Sequence, residues 1–175
     1  IKSSAASDVY KRQEYYREYY QDTGIFECSV YPGFEKSLKA LKAAGKRLFV
    51  ATSKPEVYAR RIIEHFDLDQ YFEYVAGMEL DGGRGSKAEV IGYLIDTCRM
   101  QDKKRILMIG DREHDVLGAK QEGLDCMGVL YGFGNREELE KAGAVYVAGT
   151  PEDIAGIILL SLIHISEPTR LALIS

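Results

Sequence analysis

From Arg47 onward, short apolar runs alternate with segments whose apolar residues recur every three or four positions. The runs Arg47–Ala51, Tyr74–Ala76, Arg105–Ile109, Cys126–Leu130 and Val145–Val147 read as strands, each too short for a buried helix. The intervening segments read as helices: Phe34–Ala44 closed by Gly45, Pro55–His65 with Pro in its first turn, Lys87–Cys98, and Asp115–Glu122 stopped by Gly123. Asn135 followed by Glu138 predicts a capping box for a helix to Ala142, and Thr150-Pro151 opens a last one. Upstream, Glu14–Asp22 reads as the end of a helix in which Tyr15, Tyr16, Tyr19 and Tyr20 form an aromatic stripe, a pattern typical of packing surface. Continuous apolar strands separated by amphipathic helices predict an α/β protein, with a parallel sheet covered on both faces.

The two ends follow a different logic. Asp8–Gln13 can be encoded by GAT GTG TAT AAG AGA CAG, and the reverse complement of that string translates as Leu160–Ile165. Opposite strands of one DNA string at both ends resemble a transposase end sequence with its adaptor continuation in Ser166–Arg170. Residues 1–13 and 160–175 are therefore read as adaptor-derived, expected to carry no function, and set aside from fold reasoning. Glu14–Leu159 is expected to be a fragment of a longer protein.

The formal net charge of the chain is −4, and setting the ends aside makes it slightly more acidic. That argues against a nucleic-acid footprint, which needs a basic face. No apolar run reaches the length of a membrane span. Cys28, Cys98 and Cys126 are scattered without metal-ligand spacing and read as reduced thiols of a cytoplasmic protein.

Candidate chemistry collects at the carboxyl ends of the strands. Thr52 and Ser53 follow one strand and precede a helix, where a hydroxyl and free N–H groups suit a phosphate oxygen or simply cap the helix. Lys87 opens a helix after the glycine-rich turn Asp81–Ser86; its ammonium can neutralise a phosphoryl group or lie solvated on the surface. Gly110-Asp111 ends an apolar strand and Asp115 follows four residues later, so the two carboxylates either hold a hard cation or make turn and cap bonds. His114 between them reads as a positioned neighbour, and His65 near a helix end as structural. Gly82–Gly85 lacks the spacing of a dinucleotide loop.

A hydroxyl, then a lysine, then Gly-Asp-x-x-x-Asp, each at a strand end, resembles the second, third and fourth motifs of the haloacid dehalogenase-like (HAD) hydrolase superfamily. The segments Ala51–Val57, Gly77–Gly82 and Gly128–Gly134 are similar to its phosphoglycolate phosphatase-like and 5′-nucleotidase-like branch. The resemblance implies a three-layer Rossmann-like core over residues 31–159, the end of a helical cap over 14–30, and a sheet missing its first strand, with two edges left exposed. It also implies a Mg²⁺-dependent phosphatase acting on a small phosphorylated metabolite through an aspartyl-phosphate. The two aspartates of the first strand would then lie outside Glu14–Leu159, leaving the fragment inactive. By the same resemblance Thr52 and Ser53 contact the phosphoryl oxygens and Lys87 neutralises charge. Asp111 binds Mg²⁺, and Asp115 binds it through water or orients Asp111. A receiver domain is disfavoured because its acids precede its lysine, and a dehalogenase because it needs no acid pair. A phosphomutase of the same superfamily and a non-catalytic binding protein with the same core are the alternatives.

Overall fold

The computed structural model describes residues 23–161 and 171–175, so the tyrosine stripe and residues 1–13 lie outside the described residues. The chain divides into Ile1–Val30 and Tyr31–Ser175. Of the first unit, one turn of 3-10 helix, Gly24–Phe26, is described.

In the second unit, strands β1 (Leu48–Pro55), β2 (Tyr74–Met78), β3 (Ile106–Gly110), β4 (Asp125–Val129), β5 (Tyr146–Ala148) and β6 (Leu171–Ile174) make one parallel sheet. The spatial order is β2-β1-β6-β3-β4-β5. The helices are α1 (Phe34–Ala43), α2 (Glu56–His65), α3 (Lys87–Thr97), α4 (Glu113–Gln121), α5 (Arg136–Ala142) and α6 (Pro151–Ser161).

Successive residues of each strand face opposite sides, and both sides are covered. Phe49, Ala51, Ile106, Met108 and Cys126 pack with Val90, Ile91 and Leu94 of α3, Val116 and Ala119 of α4, and Leu139 of α5. Val50 and Val75 face the other way, against Ala59 and Ile63 of α2. Two-sided burial is why β1 and β3 read as unbroken apolar runs. Each fully buried side chain of the Leu or Phe class contributes about 1.5–3 kcal/mol. Helix α1 packs on α6, tied by the Ser37 hydroxyl donating to the Pro151 carbonyl at 2.6 Å.

Three expectations need correction. First, the centre of the sheet is not open, because β6 pairs with β1 (Leu48 to Ala172, Val50 to Ile174) and with β3 (Ile106 to Leu171, Ile109 to Ile174). Leu171–Ile174 belongs to the stretch read as adaptor-derived, an origin that its pairing leaves untouched. Ladder bonds are made by backbone groups, so facing edges with unpaired N–H and C=O groups accept any short apolar strand. Helix α6 ends at Ser161. Second, Pro55 ends β1 in extended conformation (φ −52°, ψ 132°) and precedes α2 instead of occupying its first turn. Third, Asn135 accepts the Glu138 N–H at 3.0 Å, but the Glu138 carboxylate leaves this cap for Arg112 and Glu113. A complete capping box stands instead at Ser86 and Glu89, at the head of α3.

Candidate active site

The carboxyl ends of β1, β6 and β3 lie side by side, and the candidate residues sit on or just beyond them. After Ala51, paired with Ala76, β1 loses regular register until Pro55 meets Met78. Thr52, Ser53 and Lys54 occupy this irregular stretch, half-buried. Thr52 Oγ1 accepts the Lys54 N–H at 3.2 Å, and neither hydroxyl caps α2. Of the two readings offered by the sequence for these hydroxyls, helix capping is not realised.

Lys87 is the first residue of α3, directly after the Ser86 cap, and is 5% exposed. It is not a solvated surface lysine. Its Nζ donates to the Ala51 carbonyl at 2.9 Å and to Ser175 Oγ at 2.6 Å, and it meets Asp115 Oδ1 at 2.8 Å. An ammonium has three donors, and all three are engaged.

Asp115, in the first turn of α4, is fully buried. Its Oδ1 takes Lys87 and the Ser175 hydroxyl (3.0 Å), while its Oδ2 accepts the N–H groups of Asp111 and Arg112, both at 3.1 Å. Burying a carboxylate is costly unless it is paired and hydrogen-bonded; here both conditions hold. The approach also dictates the residue before Asp111, since a Cβ at Gly110 would collide with the Asp115 side chain.

Asp111 is held differently. Half-buried at the tip of β3, its Oδ2 accepts the Phe133 N–H at 2.7 Å, and its Oδ1 has no hydrogen-bond partner among the described residues. His114 stands 3.9 Å from Asp115 and is about half exposed, a neighbour of the pair and not a member of it. His65 lies at the end of α2, edge-on to Phe66.

The structure thus brings Lys87 and Asp115 into direct contact, ties Asp111 to Asp115 through its own N–H, and joins Lys87 to the β1 end through Ala51. Two contributors escape sequence reading. Ser175 completes the Lys87–Asp115 pair from β6. Glu138 fastens the head of α4, accepting from Arg112 Nε (2.8 Å) and the Glu113 N–H (2.9 Å), and Arg112 holds its carboxyl below the ordinary range. Glu138 carried a signal for a different job, the cap of its own helix.

A cleft of about 500 Å³ lies to one side, lined by Glu56, Arg60, Met78, Glu79, Leu80 and Arg84 among others. None of the candidate residues lines it. Its wall is closed by Arg84, which pairs with Glu56 (3.1 Å) and Glu79 (2.6 Å) and stacks on the Tyr93 ring.

Among the described residues no group of three or more acids, histidines or cysteines is arranged to hold a metal. The oxygen donors nevertheless suit a hard cation of the Mg²⁺ type, which binds through one or two carboxylates and keeps several waters. Asp111 offers an oxygen with no hydrogen-bond partner among the described residues; Asp115 has both of its oxygens committed. No helix among the described residues is long and apolar enough to cross a membrane.

A 5′-nucleotidase of Pseudomonas aeruginosa is 47% identical over 125 residues, covering 71% of this chain and 56% of the relative. The tyrosine-protein kinase PtkA of Mycobacterium tuberculosis is 41% identical over 132 residues, covering 75% and 45%. The chain spans about half the length of these relatives. The crystal structure of a predicted phosphatase from Clostridium acetobutylicum superposes with a TM-score of 0.79 at 44% identity, covering 84% of this chain and 68% of that one. Residues 1–129 match the haloacid dehalogenase-like hydrolase family, and the chain belongs to that family.

Proposed function

We propose that this chain carries the phosphate- and metal-holding part of a Mg²⁺-dependent phosphatase that hydrolyses a small phosphate monoester, phosphoglycolate- or nucleotide-like, through an aspartyl-phosphate. The observation that carries the reading is the buried Lys87–Asp115 pair, with Asp111 beside it and Thr52 one residue beyond the Lys87-bound Ala51. Family membership and the 5′-nucleotidase relative support it.

Each residue has a role that follows from its bonds. Thr52 Oγ1 accepts from Lys54, so its O–H is the group left to donate to a phosphoryl oxygen, with Ser53 next to it. Lys87 lowers the repulsion between two anions, the phosphate and an attacking carboxylate. A phosphate oxygen reaches Lys87 by displacing its Ser175 partner, the only one of the three that is a neutral side chain. Asp115 holds Lys87 in place, and fixes the Asp111 backbone by accepting its N–H. Asp111 would hold Mg²⁺ through Oδ1. Bound there, the cation would supply Lewis-acid neutralisation of the phosphoryl charge.

Phosphoryl transfer is mostly positioning and charge stabilisation, and these residues supply both. The attacking group is a different matter. The end of the central strand, against Lys87, is occupied by the hydroxyl of Ser175 and not by a carboxylate. The 175-residue chain alone is accordingly expected to be inactive.

The test is an assay of two proteins with Mg²⁺ against phosphoglycolate and nucleoside 5′-monophosphates: this chain, and the gene product extended by its upstream coding sequence. The extended protein should turn over at least one substrate, losing activity with chelator or Asp111→Asn, while this chain should not. An extended protein that binds phosphate but never hydrolyses an ester would overturn the phosphatase reading.

A further inference from the structure

The segment Leu130–Gly134 follows β4 and contributes none of the candidate site residues, yet it closes on Asp111. Its position is fixed at both ends. The Leu130 N–H donates to the Ala148 carbonyl at 3.0 Å, the Tyr131 ring packs edge-on to Tyr31 with centroids 4.9 Å apart, and Asn135 caps α5. Between these anchors the backbone touches Asp111 so closely that side chains are excluded. A Cβ on Gly132 would collide with the Asp111 side chain, and one on Gly134 with the Asp111 carbonyl. The residue between the two glycines is Phe133, which is 88% exposed. Its backbone does something specific: the N–H donates to Asp111 Oδ2 at 2.7 Å.

We infer that the backbone amide of Phe133 is a positioning group for metal binding. It orients the Asp111 carboxylate by engaging Oδ2, leaving Oδ1 as the oxygen for a divalent cation; Gly132 and Gly134 are required because they let that amide approach. This rests on the reading of Asp111 as the metal ligand. A hydrogen bond to a carboxylate is stronger and shorter than one between neutral groups, and partners that orient a ligating carboxylate typically change metal affinity roughly 10- to 100-fold when removed. The Asp115 bond to the Asp111 N–H fixes the backbone of the ligand; the Phe133 bond fixes its side chain. The device uses the backbone at Phe133, so the identity of that side chain should be irrelevant to it.

The test is direct Mn²⁺ binding by the 175-residue chain in the presence of inorganic phosphate, followed by electron paramagnetic resonance of the free ion. Replacing Phe133 by phenyllactate turns its amide into an ester and deletes only the N–H; Phe133→Ala keeps the N–H and deletes the ring. The ester should weaken Mn²⁺ binding at least tenfold while Phe133→Ala leaves it within about twofold. Gly132→Ala, which pushes the loop off Asp111, should weaken binding as the ester does. Should that variant fail to fold, the ester still decides. Wild-type affinity in the ester, or equal losses in ester and Phe133→Ala, would overturn the inference while leaving Asp111 as ligand. No Mn²⁺ binding by the unsubstituted chain would remove Asp111 as a ligand and the positioning role with it.

Discussion

Asp111 and Asp115 stand four residues apart on one turn, and their surroundings make them opposites. Asp115 has no exposed surface and four partners: Lys87, Ser175 and two backbone N–H groups. Asp111 is half-buried, accepts one bond, and keeps one oxygen without a hydrogen-bond partner among the described residues. A paired motif in sequence thus resolves into a structural acid, whose loss leaves a buried lysine uncompensated, and an acid with one oxygen that has no hydrogen-bond partner among the described residues. The environment of each carboxylate, not its spacing from the other, sets its job.

Several changes would break or sharpen that contrast. The most drastic is removal of residues 171–175, which strips Asp115 and Lys87 of the Ser175 hydroxyl and uncovers the facing edges of β1 and β3. The loss should be comparable with the whole stability of a domain, about 5–15 kcal/mol, so the shortened chain should aggregate or melt without cooperativity. A cooperative urea transition with unchanged midpoint would show that β6 is dispensable.

Next come the single substitutions. Asp115→Leu or Lys87→Met leaves one buried charge unpaired and should cost about 3–5 kcal/mol in chemical denaturation, with part of the loss recovered in the double variant. Asp111→Asn keeps an acceptor for the Phe133 N–H and should change stability by no more than about 0.5 kcal/mol. Equal costs at the two acids would erase the distinction between them.

A smaller effect lies in alkaline solution. Burial, and then the Asp115 carboxylate, push the Cys126 thiol up from 9.0 to about 12. A raised folded-state pKa means the protonated thiol is favoured in the native state, so its contribution is complete below about pH 9 and is lost as pH rises toward 12. Cys126→Ala should flatten that part of the stability curve. Tyr74, raised to about 12 chiefly by its hydrogen bond to Tyr93, falls in the same window and should remain in the variant. An unchanged slope in Cys126→Ala would detach the thiol from the buried pair.

Much of the fold was legible in the chain because β1 and β3 are covered on both faces and so read as unbroken apolar runs. The start of α3 and the end of α4 were legible for local reasons, the glycine-rich turn before Lys87 and the stop at Gly123. The Lys87–Asp115 contact was not, because it depends on α3 and α4 meeting over the carboxyl ends of the central strands, which no spacing within either segment encodes. Glu138 misled because a carboxylate three residues after Asn135 satisfies a local rule while the stronger demand comes from Arg112, just before α4. Leu171–Ile174 follows Ser166–Arg170 and shares its adaptor reading only by position, and such an origin says nothing about whether an apolar tetrapeptide can complete a ladder. The tyrosine stripe of residues 15–20 lies outside the described residues.

The central claim is that Asp111, and not Asp115, brings a divalent cation beside bound phosphate. Phosphorus NMR of inorganic phosphate mixed with Mn²⁺ and this chain addresses it most directly. The account predicts paramagnetic broadening of the phosphate line that requires the chain and disappears in Asp111→Asn, at an unchanged melting midpoint. Broadening that persists undiminished in Asp111→Asn would contradict it.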